Sequence, residues 1–587
     1  MNLRISSNLA RSASSVEKNS FGPYLIYRNI SRSYPLLSSP PNCFPKPFYV
    51  TTPIFYVNDA PHIGHLYTMV LADIFKRWNI LKGNAAILCT GTDEHGMKVQ
   101  QAASRAGALP KEFCDSMSET FKVLAEKAKI SNDHFIRTTD PVHTNAVQYF
   151  WTILKDKGLI YESKHEGWYC ISDETFYPES TIEKRIDPLT GRTFMASQET
   201  GKEVEWTSER NYHFRLSNFK EPLLEFYQSN PNFIVPAERM KEVVAAVSTG
   251  LQDLSISRPT DRLNWGVRVP DDESQCIYVW LDALVNYITA AKFPWPPKHQ
   301  QMGGWPANLH VIGKDITRFH CIYWPAFLLA AGLKPPKQIL THAHWTLGKQ
   351  KMAKSTGNTV NPFFAIDRFG VDVIRYYLAH DGGILNDSDY GNQNVVVRYK
   401  KDLEGGIGNL LFRLTRPLVW NVRYCVEKFE NKTNGSHLRL EYAESMEQKQ
   451  LIQELLDKVS KEMEKLSVKD ALRHIMNVVY HTNTYFQQTK PWELVKSQTS
   501  LGELEKSLEA SKCVVEIIYL CAEALRIVGI LMQAYMPDKA KELLDILHVD
   551  VERRSIKFAK FGKDFTYGNT EPTKKSQMLF PPLPVEN

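Results

Sequence analysis

The order of apolar and polar residues over positions 46–158 predicts alternating strands and helices. Short β-prone runs at residues 53–57 and 85–90 end in polar turns. The first turn leads into a stretch whose apolar residues recur every three or four positions, as on one face of a helix. These residues are Leu66, Met69, Val70, Ile74, Phe75 and Trp78. The pattern indicates an α/β domain, in which ligands bind at the carboxyl ends of the strands.

A different pattern interrupts this domain. Turn residues and charges dominate residues 159–245, where aromatic residues are interleaved, and this predicts an inserted β-rich domain. The α/β pattern returns over residues 246–345, so we expect the insertion to split the first domain into two halves.

The remaining residues are predicted to be mostly helical. Residues 346–395 contain a lysine loop followed by the start of a helix. Residues 396–545 have helical periodicity throughout, which predicts a helix bundle. Residues 546–587 are expected to form a C-terminal tail, poorly ordered over residues 563–587.

Residues 1–45 differ in composition from the rest of the chain. Basic residues recur among many serines, and Glu17 is the only acidic residue before Asp59. The first residues suggest a basic amphipathic start, and the long apolar segment of a secretory signal is missing. We therefore predict a mitochondrial transit peptide and linker, with a disordered basic tail as the alternative.

Composition narrows the class of protein only a little. A chain of 587 residues is too long for one core and should hold three or four domains. A hydrophobic content of 43% and a net charge of +6 are ordinary, and the charge permits a polyanionic partner without requiring one. No apolar run predicts a membrane span. The nine cysteines form no C-x-x-C pair, so neither a zinc knuckle nor a disulfide framework is predicted, and a reducing compartment is favoured.

Two stretches carry the strongest indication of chemistry. In the first, a strand passes through His62, Gly64 and His65 into a helix, so free backbone N–H groups and the helix dipole would face an anion. Gly64 has no Cβ and lets a phosphate or a flat ring approach the backbone. In the second, a Gly-bounded loop holds Lys351 and Lys354 three positions apart, and lysine is a flexible point charge suited to phosphate.

Polar turns follow two further strands. Asp93 could pair with an ammonium group after the strand at residues 85–90, and His95 could line the same pocket. Gly313 and Asp315 follow a second strand. Aromatic residues at helical spacing lie beside these turns, which is usual in a core but also suits a pocket for a flat or polarisable side chain. They are Trp280, Tyr287, Phe319, His320, Tyr323 and Trp324.

Residues 53–65 and 348–358 together resemble the HIGH and KMSKS signatures of class I aminoacyl-tRNA synthetases. The further motifs resemble those of methionyl-tRNA synthetases of the short, mitochondrial or bacterial-like type, over roughly residues 46–545. The resemblance implies a Rossmann-type (HUP-like) catalytic domain split by a small insertion, a stem-contact region and an α-helical anticodon-binding bundle. It also implies activation of methionine with ATP and transfer to tRNA(Met) in the mitochondrial matrix.

The resemblance implies a role for individual residues as well. The catalytic residues are expected to be His62, His65, Lys351 and Lys354, and these should hold ATP together with Gly64, Gly313 and Asp315. Asp93 should hold the α-ammonium of methionine, and Tyr287 should approach its sulfur. The methionine pocket is expected to comprise Ile54, Tyr56, Asp93, His95, Trp280, Ala283, Leu284, Tyr287, Ile316 and His320. The anticodon is expected to meet Asn409, Arg413 and Trp492.

The chain departs from the family pattern at a few positions. Ala353 replaces the middle serine of KMSKS, and Phe55 stands where many relatives have tyrosine. Cys170 and Asp173 occupy the place where some synthetases carry a metal-binding C-x-x-C, so we expect no structural zinc. Mg²⁺ should arrive with ATP rather than at a dedicated protein site. We expect a monomer, because the family's dimerising extension is not evident.

Three alternative functions are compatible with parts of the sequence. A class I synthetase for leucine, isoleucine or cysteine is disfavoured, since the insertion is too small for a large editing domain and no cysteine-rich zinc site is evident. A non-catalytic RNA-binding descendant of a synthetase conflicts with the intact histidines, lysines and Asp93. A small-molecule nucleotidyl transferase would leave the helical region unexplained.

Overall fold

The computed structural model describes most of the chain beyond residue 45. The described residues are 46–171, 173, 175–187, 190–296, 299, 303–352, 358–417, 419–433, 443–500, 504–571 and 578–583. The predicted transit peptide, Ala353 and Lys354 therefore lie outside the described residues, and only the backbone of Lys351 is described.

The α/β region begins with strands and helices in alternation, and the insertion that follows is richer in strands. The first part comprises β1 (Phe48–Tyr56), α1 (Ile63–Leu81), β2 (Ala86–Asp93), α2 (Met97–Arg105), α3 (Pro110–Lys127), β3 (His134–Arg137) and α4 (Pro141–Asp156). Next come β4 (Ile160–Cys170), β5 (Thr175–Tyr177), β6 (Ile182–Ile186), β7 (Thr193–Ser197), β8 (Glu205–Phe214), α5 (Lys220–Ser229), β9 (Ile234–Val235) and α6 (Ala237–Ser248). They are followed by β10 (Leu254–Ser255), β11 (Ser257–Pro259), β12 (Arg268–Val269), β13 (Asp272–Ile277), α7 (Val279–Ala290), β14 (Leu309–Gly313), α8 (Trp324–Ala331) and β15 (Ile339–His342).

The C-terminal region is helical after one small sheet. It comprises β16 (Trp345–Leu347), β17 (Gln350–Lys351), α9 (Pro362–Phe369), α10 (Val371–Asp381), β18 (Ser388–Asp389), α11 (Asn392–Arg398) and α12 (Asn409–Thr415). The last helices are α13 (Val422–Thr433), α14 (Ala443–Glu464), α15 (Val468–Thr489), α16 (Pro491–Ser500), α17 (Leu504–Met532) and α18 (Pro537–Ile546).

Six parallel strands form the central sheet, in the order β3-β2-β1-β14-β15-β9. The chain leaves β1 toward β2 and β3 on one side and returns on the other side at β14. Ligands of such sheets bind at this change of direction, beyond the carboxyl ends of the strands. The parallel sheet with its helices, the antiparallel sheets and the helical C-terminal region confirm the predicted fold class.

The apolar periodicity of α1 has the predicted result. Its apolar residues from Ile63 to Trp78 are buried against the sheet. The resulting core continues through α10 into the C-terminal helices. On the opposite face of the sheet, α4, α7 and α8 form a second core. The central sheet is therefore buried on both faces, as parallel sheets usually are.

Two expectations about the regions around this sheet were wrong. Residues 216–248 are mostly helical, and β9 joins the central sheet beside β15, so β-rich structure does not extend over the whole of 159–245. The described part of residues 563–587 is packed rather than poorly ordered. Tyr567, Leu579 and Phe580 are buried, and Tyr399 donates a 2.5 Å hydrogen bond to the Pro581 carbonyl.

Candidate active site

The first turn of α1 is built around two stacked histidine rings. His62 precedes the helix, and its Nδ1 accepts a 3.0 Å hydrogen bond from the Gly64 amide. His65 Nδ1 accepts a 3.0 Å bond from the His62 amide, and the two rings stack with centroids 3.9 Å apart. A Cβ on residue 64 would lie 2.8 Å from His62 Cε1, so this close approach requires glycine. Both imidazoles therefore lie at the N-terminus of α1, where negative charge is favoured.

A hydrophobic wall fixes the orientation of His65. Its ring meets the edges or faces of Phe55 and Phe121 at centroid distances of 5.1 and 5.4 Å, and these two phenyl rings stack on each other. Phe55, noted as a departure from the family pattern, thus contributes packing rather than a hydroxyl group.

One end of the lysine loop lies close to α1. Gly348 and Lys349 form the two-residue turn of the β16–β17 hairpin, with φ of 61° and 62°. Asp389 Oδ1 holds the turn by accepting bonds from the Lys349 amide and the Thr346 hydroxyl. Beyond residues 353–357, the Val360 carbonyl accepts a 3.1 Å hydrogen bond from the amide of Ile63. The structure therefore attaches one end of the loop directly to the helix that follows His62.

Strand β15 of the central sheet contributes a histidine that the sequence patterns did not single out. His342, at the end of β15, accepts a 2.8 Å bond at Nε2 from the Thr68 hydroxyl and donates from Nδ1 to the Ala343 carbonyl. Burial lowers the pKa of His342 to about 4, so the ring is neutral. This neutral ring fastens the second turn of α1 to the strand that precedes the lysine loop.

Asp93 lies at the carboxyl end of β2, opposite Tyr56 of β1, and is only 2% exposed. Next to it, Glu94 is buried and accepts a bidentate ion pair from Arg137 at 2.7 and 2.9 Å. This pair, together with a bond from Thr139, holds the turn on which Asp93 and His95 stand. The structure thus fixes the backbone around a buried carboxylate at the switch point of the sheet.

Two histidines share one buried carboxylate beside this turn. Asp282 on α7 contacts His95 Nδ1 at 2.6 Å and His143 Nε2 at 2.9 Å. Burial would raise the pKa of Asp282, but the charges and hydrogen bonds of His95 and His143 outweigh it and lower the pKa to about 2. Asp282 therefore stays ionised and orients His95. The sequence patterns identified His95 but neither of these partners.

Aromatic side chains from α7 and the segment before α8 meet in a second buried cluster. The Tyr287 hydroxyl donates to His320 Nε2 at 2.7 Å, while His320 Nδ1 donates to the Ile316 carbonyl. The Trp280 ring stacks on Phe319 at 3.7 Å. Burial lowers the pKa of His320 to about 4. A neutral, polarisable lining of this kind suits a thioether better than a charged side chain.

Most of the predicted methionine-pocket residues come from these few elements. Ile54 and Tyr56 lie on β1 and pair with Gly91 and Asp93 of β2. Ala283 and Leu284 are buried on α7, and Ala283 lies one helical turn before Tyr287. The structure brings Trp280, Tyr287, Ile316 and His320 into direct or neighbouring contact.

The predicted ATP residue Gly313 ends β14 and Asp315 follows it, on the other side of the switch point from β2. Asp315 Oδ1 contacts His344 Nε2 at 3.1 Å. The neighbouring Lys314 pairs with Asp387 at 2.7 Å, and Asp387 also accepts a bond from the His344 amide. The carboxyl end of β14 is thus linked to the segment that carries the lysine loop.

Known proteins are similar to this chain in both sequence and fold. The family model for class I tRNA synthetases (M) matches residues 48–415. The probable mitochondrial methionine–tRNA ligase of Neurospora crassa is 52% identical over 543 residues, which cover 92% of this chain and 85% of the relative. The mitochondrial methionine–tRNA ligase of Homo sapiens is 41% identical over 550 residues, covering 91% of this chain and 90% of the relative.

A solved structure agrees with these relatives. Mycobacterium tuberculosis methionyl-tRNA synthetase in complex with methionyl-adenylate superimposes with a TM-score of 0.81 at 36% identity, over 92% of this chain and all of that one. The chain belongs to the class I methionyl-tRNA synthetases. The matched residues 48–415 include both histidines and the whole lysine loop.

In this synthetase the predicted anticodon residues lie at the junction of α12, α15 and α16. The Arg413 guanidinium lies 4.7 Å from the centroid of Phe486 and 5.3 Å from that of Trp492. Arg413 also donates to Gln487 Oε1 at 3.0 Å. Asn409 is exposed one turn earlier on α12. The structure brings Arg413 and Trp492 together and adds Phe486, which the sequence patterns did not identify.

The insertion of this synthetase is closed by hydrogen bonds around Asp173. Its carboxylate accepts bonds from Thr200 at 2.7 Å, Tyr177 at 3.1 Å and the Cys170 thiol at 3.2 Å, and it pairs with the Lys202 ammonium. A positive side chain thus faces the carboxylate that stands in place of a second cysteine. Within the described ranges, no three His, Cys, Asp or Glu side chains are grouped as for a metal ion. None of the helices in that part of the chain is long and apolar enough to cross a membrane.

Proposed function

We propose that the chain activates methionine with ATP and transfers the methionyl group to the 3′ end of tRNA(Met) in the mitochondrial matrix. The observation that carries this proposal is the hydrogen bond between the Ile63 amide and the Val360 carbonyl. This bond connects α1, the helix that begins at the paired imidazoles, to the base of the lysine loop. Similarity to mitochondrial methionine–tRNA ligases supports the substrate and the compartment.

In the first step, a carboxylate oxygen of methionine attacks the α-phosphorus of ATP, and the bond from that phosphorus to pyrophosphate breaks. His62 and His65 stabilise the phosphates at the start of α1, and Gly64, which has no Cβ, lets them approach the backbone closely. Lys351 and Lys354 neutralise the pyrophosphate as it leaves, and Gly313 and Asp315 hold the nucleoside from β14. Positioning and charge stabilisation supply the catalysis, so no side-chain nucleophile is required.

Methionine binds between Asp93 and the aromatic cluster. The Asp93 carboxylate binds the α-ammonium group, because the two groups carry opposite charges and the site is shielded from water. The thioether lies against Tyr287, Trp280 and the neutral His320. Since burial lowers the pKa of His320 to about 4, the ring stays uncharged at neutral pH and does not repel the ammonium group.

Mg²⁺ enters with ATP in this proposal. Lysines and imidazoles can neutralise part of the triphosphate, and Mg²⁺ carried by ATP would supply further positive charge without a dedicated protein site.

In the second step, a hydroxyl oxygen of the terminal tRNA ribose attacks the carbonyl carbon of methionyl-adenylate, the bond from that carbon to the AMP phosphate breaks, and the hydroxyl proton passes to the departing AMP. The CAU anticodon meets Asn409, Arg413 and Trp492 at the far end of the helical region. A ring and a guanidinium side by side suit an unpaired base, which is recognised by stacking and by hydrogen bonds to its edge. The chain works as a monomer.

Amino-acid-dependent exchange between ATP and pyrophosphate tests the activity. We expect exchange with methionine and none with leucine, isoleucine or cysteine, followed by methionine transfer to a tRNA with a CAU anticodon. Exchange with a different amino acid would assign another specificity, and no exchange with any amino acid would refute the enzyme assignment.

Imaging tests the compartment. A fluorescent protein fused to the full chain should co-localise with a matrix marker, whereas the same fusion to a chain that starts at residue 46 should remain in the cytosol. Equal distribution of the two fusions would contradict a targeting role for residues 1–45.

A further inference from the structure

A buried arginine on α10 joins three parts of the molecule. Arg375 is 1% exposed. Its guanidinium donates to Asp73 Oδ2 on α1 at 2.6 Å and to the Ala128 carbonyl after α3 at 3.2 Å. It also donates to the carbonyls of Tyr535 and Ala534, between α17 and α18, at 2.9 and 3.3 Å.

Asp73, the acceptor on α1, is buried and hydrogen-bonded to several donors. Asp73 is 0% exposed, and it also receives bonds from Arg77 at 2.6 Å and from the amide and hydroxyl of Ser131 at 2.8 and 2.6 Å. Burial would raise the pKa of Asp73, but the charges of Arg375 and Arg77 and the bonds from Ser131 outweigh it and lower the pKa. Asp73 is therefore an ionised anchor on the helix that begins beside His62.

Tyr535, the acceptor in the helical region, is also held by a buried hydrogen bond. Tyr535 is completely buried, and its hydroxyl donates to the Val468 carbonyl at the start of α15 at 3.2 Å. Asp372, in the first turn of α10, accepts a 2.6 Å bond from the Lys539 amide at the start of α18. The first two turns of α10 thus hold the α17–α18 junction from both sides.

These contacts link two long helices that end at the two functional sites. From Asp73, the contact of Arg375, α1 runs back about 15 Å to the stacked imidazoles. From Val468, the contact of Tyr535, α15 extends about 33 Å and ends near Phe486 and Trp492. Buried, multiply bonded guanidinium groups fix geometry because their planar fork holds several acceptors at once.

We propose that Arg375 is a positioning residue that sets the catalytic domain relative to the anticodon-binding helices, so that a tRNA bound at Trp492 presents its 3′ end to the adenylate. This inference rests on the proposed function. Arg375 touches neither substrate site directly, so adenylate formation does not depend on it, whereas transfer to tRNA does.

The variant Arg375→Lys tests this in the full-length chain. A lysine can still pair with Asp73 but cannot also bond the carbonyls of Ala128 and Tyr535. We expect methionine-dependent exchange to change by less than about twofold, while kcat for charging full-length tRNA falls about tenfold. The KM for tRNA should change by less than about twofold, because the anticodon surface itself is intact.

Arg526→Lys is the matched control. Arg526 is equally buried on α17 and pairs with Glu523, and it donates to the carbonyls of Phe558 and Lys560, but all of these partners lie within the C-terminal helices and tail. Its replacement should leave the ratio of charging to exchange unchanged, even if it lowers the melting temperature as much as Arg375→Lys does.

Three results would overturn the inference. They are an unchanged kcat for charging, a parallel loss of exchange and charging, and a rise in the KM for tRNA at constant kcat. Absence of exchange in the unsubstituted chain would instead refute the proposed function, so the two failures are distinguishable.

Discussion

At the scale of single residues, close packing at the start of α1 fixes the positions of the two histidine rings. The His62 ring leaves no room for a Cβ at residue 64, and Phe55 and Phe121 pack against the His65 ring that stacks on it. Two imidazoles are thereby held in place at the start of the helix, where we propose that ATP binds. Such preorganisation is effective because the donors do not have to reorient as charge develops.

The paired lysines should add to this charge stabilisation. We expect Lys354→Ala to lower the rate of adenylate formation by about a hundredfold or more, because one donor to developing phosphate charge is lost. The KM for methionine should stay nearly constant. Exchange kinetics at varied methionine and ATP concentrations measure both quantities.

Lys349→Ala is the control for the lysine prediction. Lys349 is exposed on the same hairpin, and its backbone amide rather than its ammonium group makes the bond to Asp389. Its replacement should leave the rate nearly unchanged. Equal losses in both variants would indicate a general effect of loop charge, and a large loss of methionine binding would argue against the role of Lys354.

A buried histidine should make stability depend on pH. The folded pKa of His342 is about 4, below its value of 6.5 when unfolded. Between these values the unfolded chain binds a proton that the folded chain does not, so stability falls as the pH drops from 6.5 to 4. Each such histidine contributes about 1.4 kcal/mol per pH unit in this window.

Replacing this histidine tests the sign and size of the effect. We expect His342→Gln to make the free energy of unfolding less dependent on pH between 6.5 and 4.5, as measured by guanidinium denaturation at several pH values. A steeper dependence in His342→Gln would contradict the assignment of a neutral buried ring.

At the scale of secondary-structure elements, the junction of α12, α15 and α16 gives a prediction for tRNA binding. The Trp492 ring lies beside Arg413 and Phe486 at the start of α16. We expect Trp492→Ala to weaken tRNA binding by about 1–3 kcal/mol, because a stacking surface for one base is removed. Filter binding of a CAU tRNA measures the affinity, and methionine-dependent exchange should be unchanged.

A tryptophan elsewhere on the surface serves as the comparison. Trp206 on the insertion is 54% exposed and packs edge-on against Trp168. Trp206→Ala should alter the affinity for tRNA much less than Trp492→Ala does. If the two variants lose the same affinity, the helical junction has no special role in recognition.

The elements also show what a sequence can and cannot reveal. The helical repeat from Leu66 to Trp78 predicted α1, because one apolar face must be buried along its whole length. By contrast, β9 has two residues, too few for any period, and its place in the sheet depends on Ile339 and Leu340 more than 100 residues later. The bond between Ile63 and Val360, the pairing of Asp282 with His143 and the contacts of Arg375 are equally long-range, so local patterns contain no sign of them.

In the whole molecule, one hydrophobic core runs from the central sheet through α10 into the C-terminal helices. The two functional ends are therefore joined by packed side chains rather than by a flexible linker. The described part of residues 563–587 belongs to this core, although these residues were predicted to be poorly ordered. The prediction failed there because Tyr567, Leu579 and Phe580 are buried in the core, although the local sequence has no periodic pattern that would indicate it.

The packing of that segment gives a prediction for global stability. Phe580 is buried next to Gly408, and its ring lies 6.1 Å from that of Tyr399 and 5.7 Å from the Lys539 ammonium. We expect Phe580→Ala to lower the free energy of unfolding by about 3 kcal/mol, through lost burial and the cavity that remains. Val551→Ala, at a site that is 73% exposed in the same C-terminal region, should change it by less than about 0.5 kcal/mol. Guanidinium denaturation of both variants decides the matter: equal midpoints would mean that the segment merely rests on the surface, whereas a lower midpoint for Phe580→Ala alone would show that it completes the core.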